Sequence, residues 1–286
     1  MNTITPNGKV AIVTGANSGI GKVTARELAL QGWHVFLACR NEASTQAVLD
    51  DIAQRSGGSA RAEFLPLDLG DLASVRTCAE RFLARGLPLH LLIANAGLAG
   101  QRGMSASGFE LSFGVCHIGH FLLTQRLMDA LKAAAPSRIV VVASKAHRHA
   151  KGIDFEALRR PTQSAGGLKE YAVAKLANIL FAAELARRLK GSGVTSYAVH
   201  PGVVATNVWR AVPWPLDGLI KRFMISEDEG AATTLHCATD PVLAGDSGLY
   251  YDNCRSSQPS EIASDANLAR TLWSKSEEWV AVVPGA

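Results

Sequence analysis

The chain has 286 residues, is 48% hydrophobic and 19% charged, and carries a net charge of +4. That composition excludes a disordered chain and supplies a buried core, and the mild, scattered positive charge argues against a nucleic-acid surface. The five cysteines, Cys39, Cys78, Cys116, Cys237 and Cys254, are odd in number and lack CxxC spacing, so the reading is a reducing, cytoplasmic compartment with no disulfide framework and no metal site.

In chain order, Lys9 to Thr14 (KVAIVT) reads as a buried parallel strand. It runs into Gly15-Ala-Asn-Ser-Gly19-Ile20-Gly21 and then a helical pattern with Ile20, Val23 and Leu28 on one side. Glycines there permit a tight turn and let the backbone approach a phosphate, while the helix offers free N–H groups and its positive dipole end. The spacing is GxxxGxG, unlike the GxGxxG of many dehydrogenases. His34 to Cys39 is a second strand, and it ends in Arg40-Asn41. In a dinucleotide site this strand end selects the ribose. An acid would bond the 2′-hydroxyl of NAD, whereas a guanidinium suits a 2′-phosphate, which points to NADP(H).

Ala62 to Leu67 is a third strand, closed by Asp68-Leu69, with a helix from about Leu72 to Arg85. Leu89 to Ala94 is a fourth strand, ending in Asn95-Ala96-Gly97, small residues that leave room for a ligand past a carboxyl end. Phe109 to Ala135 is helical in pattern, and Ser137 to Ser144 is a fifth strand with Ser144 at its carboxyl end. A helix bearing Tyr171 and Lys175 runs to about Leu189. Thr195 to Val199 is a sixth strand, ending at His200-Pro201-Gly202. Gly248 to Tyr251 is a seventh, and a tail helix spans about Ser264 to Trp279. Sustained alternation of strand and helix predicts an α/β doubly wound parallel sheet, without linker or repeat, in one domain over 1–286.

Tyr171 and Lys175 lie four apart, one helical turn, on one face. A phenol titrates near 10, too high for proton transfer at neutrality, and an ammonium beside it favours the phenolate.

These features together, Thr14-Gly15-x-x-x-Gly19-Ile20-Gly21, Asp68, Asn95-Ala96-Gly97, Ser144, Tyr171-x-x-x-Lys175 and Pro201-Gly202, resemble the short-chain dehydrogenase/reductase family and its Rossmann-type fold. The match runs from about Lys9 to Tyr251. Ala38-Cys39-Arg40-Asn41, His117-Ile118-Gly119-His120-Phe121 and Lys175-Leu176-Ala177-Asn178 most resemble the retinol dehydrogenase-like group. Gly108-Phe109-Glu110-Leu111-Ser112 is also similar to light-dependent protochlorophyllide reductases. The resemblance implies that Gly15, Ser18, Gly19, Ile20 and Gly21 hold the pyrophosphate and adjoining ribose, and that Arg40 and Asn41 meet the 2′-phosphate. Asp68 and Leu69 would border the adenine. Asn95, Ala96 and Gly97 would lie at the adenine-side ribose. Pro201, Gly202, Val204 and Thr206 would frame the nicotinamide, whose ribose Lys175 would bond. It implies that Tyr171 gives or takes the proton, that Ser144 steadies the reacting oxygen, and that Lys175 keeps Tyr171 acidic.

One departure stands out. The family usually carries an Asn at the position of Cys116, where it helps hold a water near the Lys. Two readings follow. Either the main-chain carbonyl there suffices and the enzyme works, or the relay is broken and the chain is a non-catalytic NADP(H)-binding sensor or scaffold. The stretch between Ser144 and Tyr171 holds Lys145, His147, Arg148, His149 and Lys151 and reads as a solvated loop. Retinol-type relatives often have an N-terminal membrane anchor. No such apolar segment, and no apolar run of the roughly 18–20 residues of a membrane span, is seen here. The segment 207–225, with Trp209, Trp214, Leu216, Leu219, Ile220, Phe223 and Met224, is expected to cover a hydrophobic small-molecule substrate. A homodimer or homotetramer is the family's usual assembly.

Overall fold

The computed structural model describes residues 4–202 and 225–281. Strand β1 (Val10–Thr14) is buried along its whole length, as its run of apolar, β-branched residues requires. It pairs in parallel with β2 (His34–Cys39) on one side and β4 (Leu91–Ala94) on the other. Outward from β2 lies β3 (Arg61–Pro66), and beyond β4 come β5 (Ser137–Val142), β6 (Val194–His200) and β7 (Leu249–Asp252), all parallel. With a short edge strand β8 (Arg255–Ser257) beyond β7, the resulting order is β3-β2-β1-β4-β5-β6-β7-β8. The strand order reverses between β1 and β4, and a crevice opens there past the carboxyl ends.

Helices cover both faces. On one face α1 (Gly19–Leu30), α2 (Glu42–Ser56) and α7 (Glu227–Thr239) bury Leu28, Val48, Ile52 and Cys237 against Val13, Leu37, Ile93 and Val140. On the other, α3 (Leu72–Leu83), α5 (Gly119–Ala133), α6 (Leu168–Arg188) and α8 (Ala266–Ala281) pack Phe82, Phe121, Phe181 and Trp273 against Ile12, Leu92 and Val141. This alternation of inward faces makes the two apolar layers of a doubly wound sheet.

Three features depart from the sequence expectation. The edge strand β8 (Arg255–Ser257) is antiparallel to β7, joined through Asn253 and Cys254, both with positive φ. Such a two-residue turn matches the twist of a hairpin. The helix expected over Phe109 to Ala135 runs unbroken from Leu111 to Ala133, and the departure is the π-helical turn (Gly114–Ile118) set between α4 (Leu111–Phe113) and α5. The fifth strand stops at Val142, and Ser144 opens a 3-10 turn, Lys145–His149. Val204, Thr206 and the segment 207–224 lie outside the described residues.

Candidate active site

A cleft of about 1060 Å³ lies along the carboxyl ends of β1, β2, β4, β5 and β6. Every sequence-predicted site residue among the described residues lines it: Gly15, Ser18, Gly19, Ile20 and Gly21; Arg40 and Asn41; Asp68 and Leu69; Asn95, Ala96 and Gly97; Ser144, Tyr171 and Lys175; Pro201 and Gly202. That volume suits a dinucleotide with a small substrate beside it.

The glycine end is built by close approach. A Cβ at Gly21 would fall 2.4 Å from Asn95 Nδ2 and from the Gly15 carbonyl oxygen. Only a glycine lets α1 start so near the β4 loop. Ser18 caps α1 in an extended conformation, and its side chain makes no capping bond. By contrast α2 is capped by Asn41, α3 by Asp71, and α7 by a Ser226–Glu229 capping box. The N-terminus of α1 thus opens into the cleft without a side-chain cap, an arrangement that suits an anion. Arg40 is exposed at the end of β2. Asn41 is partly committed, because its Oδ1 accepts the Ser44 N–H at 2.8 Å.

The middle of the cleft is fixed by Thr14. Its Oγ accepts the N–H groups of Asn95 and Ala96, each at 2.9 Å, while Asn95 Nδ2 donates to the Thr14 carbonyl at 2.8 Å. With both lone pairs used, the Thr14 hydroxyl donates to His120 Nε2 at 2.8 Å, and His120 Nδ1 donates to the Cys116 carbonyl at 2.9 Å. His120 is therefore a neutral imidazole, pushed down to about 4 chiefly by burial. Asp68 Oδ1 accepts the Gly70 N–H at 2.9 Å. Gly119 lets the helix after the π turn press on Leu69, whose carbonyl oxygen would lie 2.3 Å from a Cβ there.

At the far end, Tyr171 and Lys175 project from one turn of α6, with Nζ 5.6 Å from the phenol ring centroid. Lys175 is 2% exposed, and its Nζ donates to the Val142 carbonyl at 2.7 Å. Asn178 Nδ2 donates to the same carbonyl at 3.0 Å. A Cβ on Gly97 would lie 3.3 Å from Lys175 Nζ and 3.4 Å from Cys116 Sγ, so the thiol takes its place beside the ammonium. Burial raises the Cys116 thiol, with Lys175 opposing it, and leaves it inert. Burial lowers Lys175. The sequence leads one to expect Lys175 to depress Tyr171. Instead burial dominates and raises the phenol, with the Ser144 hydrogen bond pulling the other way. Tyr171 therefore keeps its proton. Ser144 Oγ accepts the Ala146 N–H at 3.1 Å, which leaves its own hydrogen free to donate.

Sequence reasoning missed several residues here. His147, expected in a solvated loop, is fully buried. His200, at the end of β6, accepts the Lys145 N–H at 3.3 Å on Nδ1 and is pushed down to about 4, mainly by burial. Thr14 and His120 stand in stretches that resemble the family, but their roles gave no local signal, because these depend on partners distant in the chain. Among the described residues, no cluster could hold a metal ion and no helix is long and apolar enough to cross a membrane.

The family model for short chain dehydrogenases matches residues 9–157, more than half of the chain. Human retinol dehydrogenase 11 is 45% identical over 276 residues, covering 95% of this chain and 86% of its own length. The WW domain-containing oxidoreductase of Danio rerio is 44% identical over 283 residues, covering 95% of this chain and 68% of its own. A crystal structure of a protein from Mycobacterium Paratuberculosis superposes with a TM-score of 0.77 at 30% identity, covering 99% of this chain and 97% of its own. The chain belongs to the short-chain dehydrogenase family, in its retinol dehydrogenase-like group. It is an oxidoreductase of that family, and one solved neighbour at 25% identity, a putative NAD(P) dependent gluconate 5-dehydrogenase from Beutenbergia cavernae (TM-score 0.69, covering 88% of this chain and 97% of its own), carries bound NADP. The uncapped α1 N-terminus, the glycine contacts and the basic end of β2 fit such a cofactor.

Proposed function

We propose that this protein is an NADP(H)-dependent oxidoreductase that interconverts a carbonyl and an alcohol on a hydrophobic small molecule. The observation that carries the reading is the convergence of Ser144, Tyr171 and Lys175 at one end of a cleft whose other end is the uncapped start of α1. Bound there, the nicotinamide would supply or take up a hydride. The protein's own work is proton transfer and orientation. Tyr171, held as a phenol, donates its proton to the carbonyl oxygen in the reductive direction and recovers it in the reverse. Ser144 donates a hydrogen bond to the same oxygen, where negative charge develops. Lys175, fixed by the Val142 carbonyl, places a positive charge beside the phenol and stabilises the phenolate left after transfer. Arg40, exposed at the end of β2 and in no salt bridge among the described residues, supports NADP(H) over NAD(H). Val204 and Thr206 complete the nicotinamide end of this reading. The five free cysteines fit a reducing, cytoplasmic setting, and a homodimer or homotetramer is the assembly proposed.

The test is NADPH oxidation over a panel of lipophilic aldehydes, ketones and quinones, in light and in darkness. Turnover in darkness is expected. Nucleotide binding without turnover on any of them would favour the sensor or scaffold reading, for which the buried Cys116 thiol beside Lys175 speaks. Turnover of a tetrapyrrole only under light would favour a protochlorophyllide reductase-like activity.

A further inference from the structure

Ser144 sits just past the end of β5: the Ala143 N–H still donates to the Val199 carbonyl at 2.8 Å and the Lys145 N–H to His200 Nδ1 at 3.3 Å, but the Ser144 carbonyl itself has turned out of the ladder. Its side chain opens the 3-10 turn Lys145–His149, a tight turn with weak internal hydrogen bonds. Four of the turn's five residues are not buried, and His147 is the one that is, at 0% exposure. Its ring meets Tyr250 edge-on, with centroids 5.3 Å apart. The Ser144 carbonyl accepts from His147 twice, from the main-chain N–H at 3.1 Å and from Nδ1 at 2.6 Å. On the opposite side of the ring, Nε2 receives the Ser260 N–H at 3.0 Å. A peptide N–H can only donate and a carbonyl can only accept, so both contacts are met by one species: a neutral imidazole with its proton on Nδ1. Arg148 reinforces the link, donating from Nη2 to the Gln258 carbonyl at 2.6 Å. The turn that begins at Ser144 is thereby clasped to residues 258–260, far along the chain.

We propose that His147 is a positioning residue for Ser144. The Ser260 N–H holds its ring in the Nδ1–H tautomer, and the Nδ1–H fixes the Ser144 carbonyl. That in turn sets the direction in which the Ser144 hydroxyl is presented to the reacting oxygen. The inference deepens the reading above and rests on it for its kinetic test. Burial lowers His147, against the Ser144 hydrogen bond, which keeps the imidazole neutral near pH 7.

The test compares His147→Ala, His147→Asn and His147→Gln in the full chain, alone and with Ser144→Ala. The Asn amide can present a donor where Nδ1–H lies, and the Gln amide reaches only the Nε2 position. His147→Ala is expected to lower kcat about 10- to 100-fold, the scale of a misplaced catalytic group, with the KM for NADPH nearly unchanged. His147→Asn recovers most of that loss and His147→Gln does not. In the Ser144→Ala background His147→Ala costs less than about twofold, because the two act as one unit. Full additivity with Ser144→Ala, or equal losses in the Asn and Gln variants that track falling Tm, would overturn the proposal. Should the wild type turn over no carbonyl, the functional reading fails, and two other measurements still decide this one. Nitrogen NMR of labelled histidine is expected to show His147 protonated on Nδ1 alone at neutral pH, and a crystal structure of His147→Ala is expected to show Ser144 displaced. A proton on Nε2, or an unmoved Ser144, would refute it.

Discussion

Lys175 donates from Nζ to the main-chain carbonyl of Val142 at 2.7 Å, two residues before Ser144. One bond therefore ties the lysine of α6 to the strand end that carries the serine turn. Replacing Lys175 by Met is expected to lower kcat/KM by about 10²- to 10⁴-fold, the usual scale for a group that supports proton transfer. The fold should persist, since the Val142 carbonyl keeps Asn178 as a partner. Steady-state NADPH oxidation beside thermal unfolding measures both. A variant that unfolds at room temperature would show the lysine to be structural first.

Cys116→Asn restores the amide usual in the family. Lys175 is already held by Val142, and the Cys116 carbonyl already accepts from His120. The expected change in kcat is less than about fivefold, the worth of one ordinary hydrogen bond. The site is fully buried against Gly97, so the larger amide should destabilise the fold by about 1–3 kcal/mol. A rise in kcat of two orders of magnitude would mean that the thiol is a defect in the relay.

Arg40→Asp is expected to shift the ratio of kcat/KM for NADPH over NADH by about 10- to 100-fold towards NADH, matching the loss of one or two charge-assisted bonds. An unchanged ratio would remove Arg40 from the 2′-phosphate.

Buried histidines make stability depend on pH. His120 and His200 are pushed down to about 4, and His117 to about 3, in each case first by burial. In the unfolded chain all three titrate near 6.5. Their folded values are depressed, so their contribution is intact above about pH 6.5. It is lost as pH falls, when the unfolded state takes up protons that the folded state refuses, down to about pH 4 for His120 and His200 and about pH 3 for His117. Each costs up to about 1.4 kcal/mol per pH unit in that window. Urea midpoints should fall between pH 6.5 and 5. A flat profile there would contradict the burial of these rings.

Much of this was legible in the sequence because it is local. The strand Val10–Thr14, the glycine turn and the Tyr171/Lys175 pair are patterns over a few residues, and helix α6 sets the spacing of the last. The doubly wound parallel sheet followed from the alternation of strand and helix. What the sequence hid depends on partners distant along the chain. His147 looks solvated between charged neighbours, and only Ser260 and Tyr250 show why it is buried. Thr14 is an ordinary strand end until Asn95, Ala96 and His120 converge on it. Asn41 spends its carbonyl oxygen on capping α2. The expected depression of Tyr171 by Lys175 considered charge alone, and burial, which spacing does not reveal, outweighed it.

The most direct test of the account is Tyr171→Phe, with nucleotide affinity and turnover measured on the same preparation. Phe keeps the ring and loses only the proton donor. NADPH is expected to bind within a few-fold of wild type while carbonyl reduction falls by about 10²-fold or more. A Phe variant that turns over carbonyls at the wild-type rate would contradict it.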